Sequence, residues 1–170
     1  MEKLPSDYPI PIIVVQHRSK DQMYLLEEVL QSKSAIKIKQ VDEKEKIKSG
    51  FVYLAPPDYH LLIEQDETFS LSSEDYVNFS RPSIDVLFES AALVYEASLI
   101  GIILTGSNKD GTLGIETIHK HNGLTIAQDP DEAQFPFMPS SAIYTNKISH
   151  ILTLSQLSEF LLKISHEKAR

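Results

Sequence analysis

Two residues follow directly on short apolar runs, a position from which side chains commonly act on ligands. His17 follows Ile12-Ile13-Val14-Val15-Gln16. Asp110 follows Leu99-Ile100-Gly101-Ile102-Ile103-Leu104 through the loop Thr105-Gly106-Ser107-Asn108-Lys109. Both runs read as buried strands of a parallel sheet, covered on both faces, and ligands of such sheets gather at the carboxyl ends of the strands. A histidine and an aspartate on that edge suit a general base and the carboxylate that holds its tautomer and stabilises its protonated form. Plainer readings stand beside this one. A histidine at a strand end is often a structural hydrogen-bonding residue, and Asp-Gly ahead of a helix is often a turn and cap. A nucleophile is harder to find. The 170 residues contain no cysteine and no Gly-x-Ser-x-Gly turn, the elbow that exposes a serine between strand and helix. Ser6 precedes the first strand and belongs to the opposite, amino-terminal edge. Ser107 lies near Asp110, but nothing around it marks it as activated.

The elements needed to position these residues are legible in the apolar pattern. A helix is predicted from Asp21, near its start, to Leu30, with Met23, Leu26, Val29 and Leu30 apolar; a strand follows over 36–41. Phe51 to Ala55 reads as a strand stopped by Pro56-Pro57-Asp58. His60–Ile63 and Phe69–Leu71 read as a hairpin around Gln65-Asp66-Glu67. Pro82 at N1 and Asp85 in the first turn mark a helix whose inner face is Ile84, Leu87, Phe88, Ala91, Ala92 and Tyr95. Further on come a helix over 112–121 stopped by Asn122-Gly123, a strand over 124–127, and a short helical piece at Met138-Pro139 with Ala142 and Ile143. The last helix runs over 155–166, with Ser155 as N-cap and Leu157, Phe160, Leu161 and Ile164 inward. Strands alternating with helices predict one α/β domain over 1–170, doubly wound, with a mostly parallel sheet and helices on both faces.

Composition excludes several functions. The net charge of -8 argues against duplex nucleic acid and anionic membrane as partners, since both need clustered Lys and Arg. The most basic stretch, Lys44 to Lys48, alternates with acid and reads as a solvated face. Without cysteine there are no disulfides or thiolate ligands, which suits a reducing cytoplasm. The N-terminus has no apolar core of signal-peptide length, and no apolar run is long enough to span a bilayer. His119 and His121 sit two apart on a helix, so their rings diverge and a zinc site is not expected. The loop 105–111 lacks both the G-x-x-x-x-G-K-[ST] and G-x-G-x-x-G orders, so a nucleotide-binding α/β domain is the weaker reading, and no cofactor is expected.

Six motifs in register carry a resemblance. Val15-Gln16-His17, Val52 to His60, Arg81 to Phe88, Leu104-Thr105-Gly106 with Asp110-Gly111, Ala127 to Pro130 and Met138-Pro139 together resemble the catalytic domain of the CheB family of chemotaxis protein-glutamate methylesterases. The resemblance extends from about residue 4 to about residue 162. It implies a cytoplasmic hydrolase that cleaves γ-glutamyl methyl esters on chemoreceptor cytoplasmic domains, in some members also deamidating glutamines. It assigns His17 and Asp110 to a Ser-His-Asp triad, and Gly106, Ser107 and Met138 to the substrate pocket or oxyanion loop. Ser107-Asn108 stands where Met-Gly is commonest. The family's opening strand, its Gly-x-Ser-x-Gly-Gly nucleophile turn and the next helix have no counterpart, so an N-terminally truncated catalytic domain is expected, without the receiver domain that often precedes it. The competing expectation is an inactive relic or receptor-binding module of the same fold.

Overall fold

The computed structural model describes residues 3–17 and 25–168, and its frame is a pair of parallel three-stranded sheets. In the first, β1 (Ile12–Val14) and β2 (Lys37–Gln40) flank β3 (Phe51–Leu54), so that Ile12 and Ile38 both lie beside Val52. In the second, β6 (Ile100–Ile103) and β8 (His150–Leu152) flank β7 (Leu124–Gln128). Between them in sequence lies the antiparallel hairpin of β4 (His60–Ile63) and β5 (Phe69–Ser72).

Strand alternation divides the core. Val52 and Leu54 face one way, onto Ile36, Ile38, Leu26 and Leu30 of α1 (Leu25–Gln31), and Leu161 and Leu162 of α5 (Leu154–Lys168). Tyr53 and Ala55 face the other way, onto Leu61, Ile63 and Phe69 of the hairpin and Leu87 and Ala91 of α2 (Ile84–Tyr95). In the second half, Ile103 meets Ile115 of α3 (Thr112–Lys120) and Met138 and Ala142 of α4 (Phe137–Tyr144). Gly114 lies flat against Phe88, which lets α3 close onto α2. Gly111 caps α3 at φ 90°, and a Cβ there would overlap Ile103 and Ile84, so only glycine fits both the backbone and the space.

Several sequence expectations change. β1 is only half-buried, and β6 is buried at Gly101 and Ile103 but not at Ile100 or Ile102, so neither strand is covered on both faces. The reason is topological: each is an edge strand of its own sheet, and among the described residues no strand pairs with its outer side. β8, the other edge of the second sheet, is open in the same way, with two of its three residues exposed. Pro82 precedes the N-cap Ser83 instead of occupying N1. Ser155 lies inside α5; Thr153 caps it, its hydroxyl accepting Gln156 N–H at 3.3 Å while Gln156 Oε1 accepts Thr153 N–H at 2.9 Å. Asp21 and Met23, expected at the start of α1, lie outside the described residues.

Candidate active site

β1 and β6 deliver their following residues to one place. His17 Nε2 lies 2.7 Å from Asp110 Oδ2 and bridges the carboxyl ends of the two half-sheets. The histidine side chain is 28% exposed and the aspartate side chain 0%. Asp110 sits at the amino end of α2, where first-turn N–H groups have no partner within the helix. Its carboxylate accepts Ile84 N–H at 2.7 Å and Asp85 N–H at 3.2 Å. Ser83 Oγ donates to it at 2.7 Å, Gly111 N–H at 3.1 Å and Asn78 Nδ2 at 3.3 Å. Burial pushes this carboxyl up. The bonds from His17, the Ile84 amide, Ser83 and the Asp85 amide outweigh burial and hold it below the usual carboxylate range. An ionised carboxylate only accepts, so His17 Nε2 carries the proton of this bond and Nδ1 is the ring nitrogen left for chemistry.

The seat of Asp110 is itself supported. His60, 2% exposed, accepts Ser83 N–H on Nδ1 at 3.2 Å and donates Nε2–H to the Asp75 carbonyl at 2.9 Å. Asn108 Oδ1 accepts Asp110 N–H at 3.0 Å, and Asn108 Nδ2 reaches Ser80 Oγ at 3.1 Å. Asp85, 3% exposed, accepts Gly114 N–H at 2.8 Å and Asn78 Nδ2 at 2.8 Å. One amide therefore bridges two buried carboxylates. None of Ser83, Asn78, Asn108 or His60 stands out by spacing as a site residue. His60 and Ser83 fall inside motifs of the resemblance, which was the one signal available for them.

Burial pushes the Asp85 carboxyl up to about 6; the Gly114 amide opposes this, and the Asp110 charge adds to it. Because its folded value lies above the ordinary 3.8, its stabilising contribution is complete below pH 3.8 and is lost as pH rises through about 6. The loss is on the order of 2–3 kcal/mol. Asp110, held low, acts in a separate range: its contribution is present above 3.8 and is lost as pH falls below it. Asp85→Asn, which keeps an oxygen for Gly114, should therefore flatten stability between pH 4 and pH 7. Urea unfolding at several pH values checks this, and an unchanged slope would assign the pH dependence to another group.

The remaining predicted residues divide. Met138 packs over Gly106, where a Cβ would overlap its side chain, and Met138 N–H bonds the Gly106 carbonyl at 2.9 Å. Gly106 N–H is taken by the Phe135 carbonyl at 2.9 Å, so it is not free to meet an oxyanion. Ser107 is exposed, and no hydrogen bond joins it to His17 or Asp110. Ser6 borders a cleft with Lys37 and Phe51, the first residues of β2 and β3, at the edge away from His17. Among the described residues no three His, Asp or Glu side chains gather as a metal site, and no helix is long and apolar enough to cross a membrane.

Comparison with known proteins shows the family and the fold of the chain. The family model described as CheB methylesterase matches residues 1–161. A Leptospira interrogans relative, provisionally given the same activity, is 49% identical over 164 residues, covering 95% of this chain and 83% of that protein. The Thermotoga maritima protein-glutamate methylesterase/protein-glutamine glutaminase is 34% identical over 164 residues, and the match spans 48% of its length. The crystal structure of the Thermotoga maritima CheB methylesterase catalytic domain superposes with a TM-score of 0.91, covering 96% of this chain and 88% of that one.

Proposed function

This chain belongs to the CheB methylesterase family, and from that premise we propose that it carries the base and orienting carboxylate of a protein-glutamate methylesterase. The substrate is a γ-glutamyl methyl ester on the cytoplasmic domain of a chemoreceptor, with a glutamine side chain as the second substrate. The reaction takes place in the cytoplasm. The observation that carries this reading is the His17–Asp110 bond, made to a carboxylate that is wholly buried and kept ionised.

No elbow serine occurs in these 170 residues. The reading therefore covers what His17 and Asp110 do for a serine presented on a turn of the kind the resemblance implies, which these residues do not contain. The serine Oγ attacks the ester carbonyl while its proton passes to His17 Nδ1. Asp110 stabilises the imidazolium through Nε2–H. The oxyanion meets the Ser107 N–H, since the Gly106 N–H is engaged. The imidazolium returns its proton to the departing methoxide, which leaves as methanol. Water, deprotonated by Nδ1, then cleaves the acyl-serine to give glutamate and free serine. With glutamine the leaving group is ammonia.

The experiment is methanol release from methylated receptor fragments, comparing this chain with one joined to the strand and serine turn of the Thermotoga maritima relative. Release by the joined protein alone supports the reading. Release by this chain unaided places the nucleophile within it and makes Ser107 the residue to mutate. If neither releases methanol, the chain is a binding module of the same fold.

A further inference from the structure

The turn that contributes Asn78 is built against the preference of its sequence. Val77 and Ser80 exchange both backbone hydrogen bonds, Val77 N–H to the Ser80 carbonyl at 3.2 Å and Ser80 N–H to the Val77 carbonyl at 2.8 Å. The two residues between them have φ of 49° (Asn78) and 61° (Phe79). A two-residue hairpin turn with both central φ values positive is the kind that Asn-Gly fills with least strain. Here phenylalanine occupies the glycine position, and its side chain is 98% exposed. Packing does not explain it, since nothing covers it. The flanks of the turn are nevertheless fixed to the site: Asn78 bonds Asp85 and Asp110, and buried Ser80 bonds Asn108.

Across loop 105–110 stand Phe135 and Phe137, 52% and 58% exposed. Phe135 is held by its N–H to Thr105 Oγ1 at 2.8 Å and by its carbonyl to Gly106, and Met138, beside Phe137, binds Gly106 in turn. Among the described residues these are the three exposed phenylalanines, and all three border the loop that carries Asp110. Large apolar side chains are exposed elsewhere too, Leu93 and Tyr144 among them, so it is the placement of these three beside a polar site that marks contact with another molecule. Strain kept at the same place points to function in the same way.

We propose that Phe79, together with Phe135 and Phe137, contacts the protein substrate, gripping apolar side chains that flank the reactive glutamyl residue. The proposal rests on the methylesterase reading, in which the reacting group belongs to a protein and its neighbours must lie over this rim. A mere structural role predicts that removing the ring lowers stability and binding together. A contact role predicts that they separate.

The test is Phe79→Gly, with a purified cytoplasmic chemoreceptor fragment bearing glutamine at its modification sites as the probe. Tm should hold or rise, because glycine suits φ 61°. Affinity should fall about tenfold or more, and Phe79→Leu should recover part of it. Equal affinity of wild type and Phe79→Gly overturns the inference and leaves the methylesterase reading standing. A fall in Tm parallel to the fall in affinity overturns it in favour of a structural role. A wild-type dimer that becomes monomeric in Phe79→Gly assigns the rim to contacts between copies and also overturns it. Failure of the wild type to bind the fragment removes the reading and the inference together.

Discussion

Asp110→Ala lowers the unfolding free energy by about 3 kcal/mol or more, an effect at the upper end for a single truncation. The side chain is small, so little apolar contact is lost. What is lost is the common acceptor of Ser83 Oγ, the Ile84, Asp85 and Gly111 amides and Asn78 Nδ2, most of them buried beyond the reach of water. The amino end of α2 depends on it doubly. Ser83 occupies the N-cap, yet its side chain makes no cap bond, because its hydroxyl donates to Asp110. The carboxylate therefore serves as the cap from another part of the chain, and its charge complements the helix dipole. Urea unfolding should show a lower midpoint with an unchanged slope. A change below about 1 kcal/mol would mean that water enters and satisfies these donors. Activity falls with the same substitution, for want of the group that orients His17.

His17→Ala separates the two roles. In the protein joined to a serine turn, methanol release should fall about 10⁴-fold or more, since serine without its base retains only binding and oxyanion stabilisation. Stability should change by less than about 1 kcal/mol. The imidazole is partly exposed and gives Asp110 one of its six bonds, leaving five. Paired assays of melting and methanol release decide this. If His17→Ala melts as early as Asp110→Ala, the imidazole is part of the helix cap and not a separable base.

The contrast explains what the sequence disclosed about the site. His17 and Asp110 were legible because each follows a strand, and strand ends converge by the rule of parallel sheets. The ring of donors around Asp110 was not, because it forms only when α3's leading loop meets the start of α2, about 25 residues away in sequence. Periodicity within an element carries no information on which helix end faces which loop. The same limit shows in Pro82, where the helix begins two residues later than the proline because Ser83 is held by His60 and Asp110. Thr153 and Ser155 are both acceptable caps by type; only the reciprocal bonds with Gln156 choose between them. Phe79 was invisible as a contact residue because an exposed aromatic in a polar stretch has no period. Its meaning came from the backbone it sits on.

The fixed tautomer of His60 offers a way to watch this site without any substrate. Its Nε2–H is buried and bonded to the Asp75 carbonyl, while Nδ1 takes the N–H of Ser83, the residue beneath the Asp110 carboxylate. Solvent deuterons reach the Ser83 amide proton only when the start of α2 draws away from His60 Nδ1. Its exchange lifetime in NMR thus reports the opening free energy of one helix end. A lifetime far shorter than that of the buried β3 amides would identify the seat of the catalytic carboxylate as a unit that opens on its own, ahead of the sheet that carries His17.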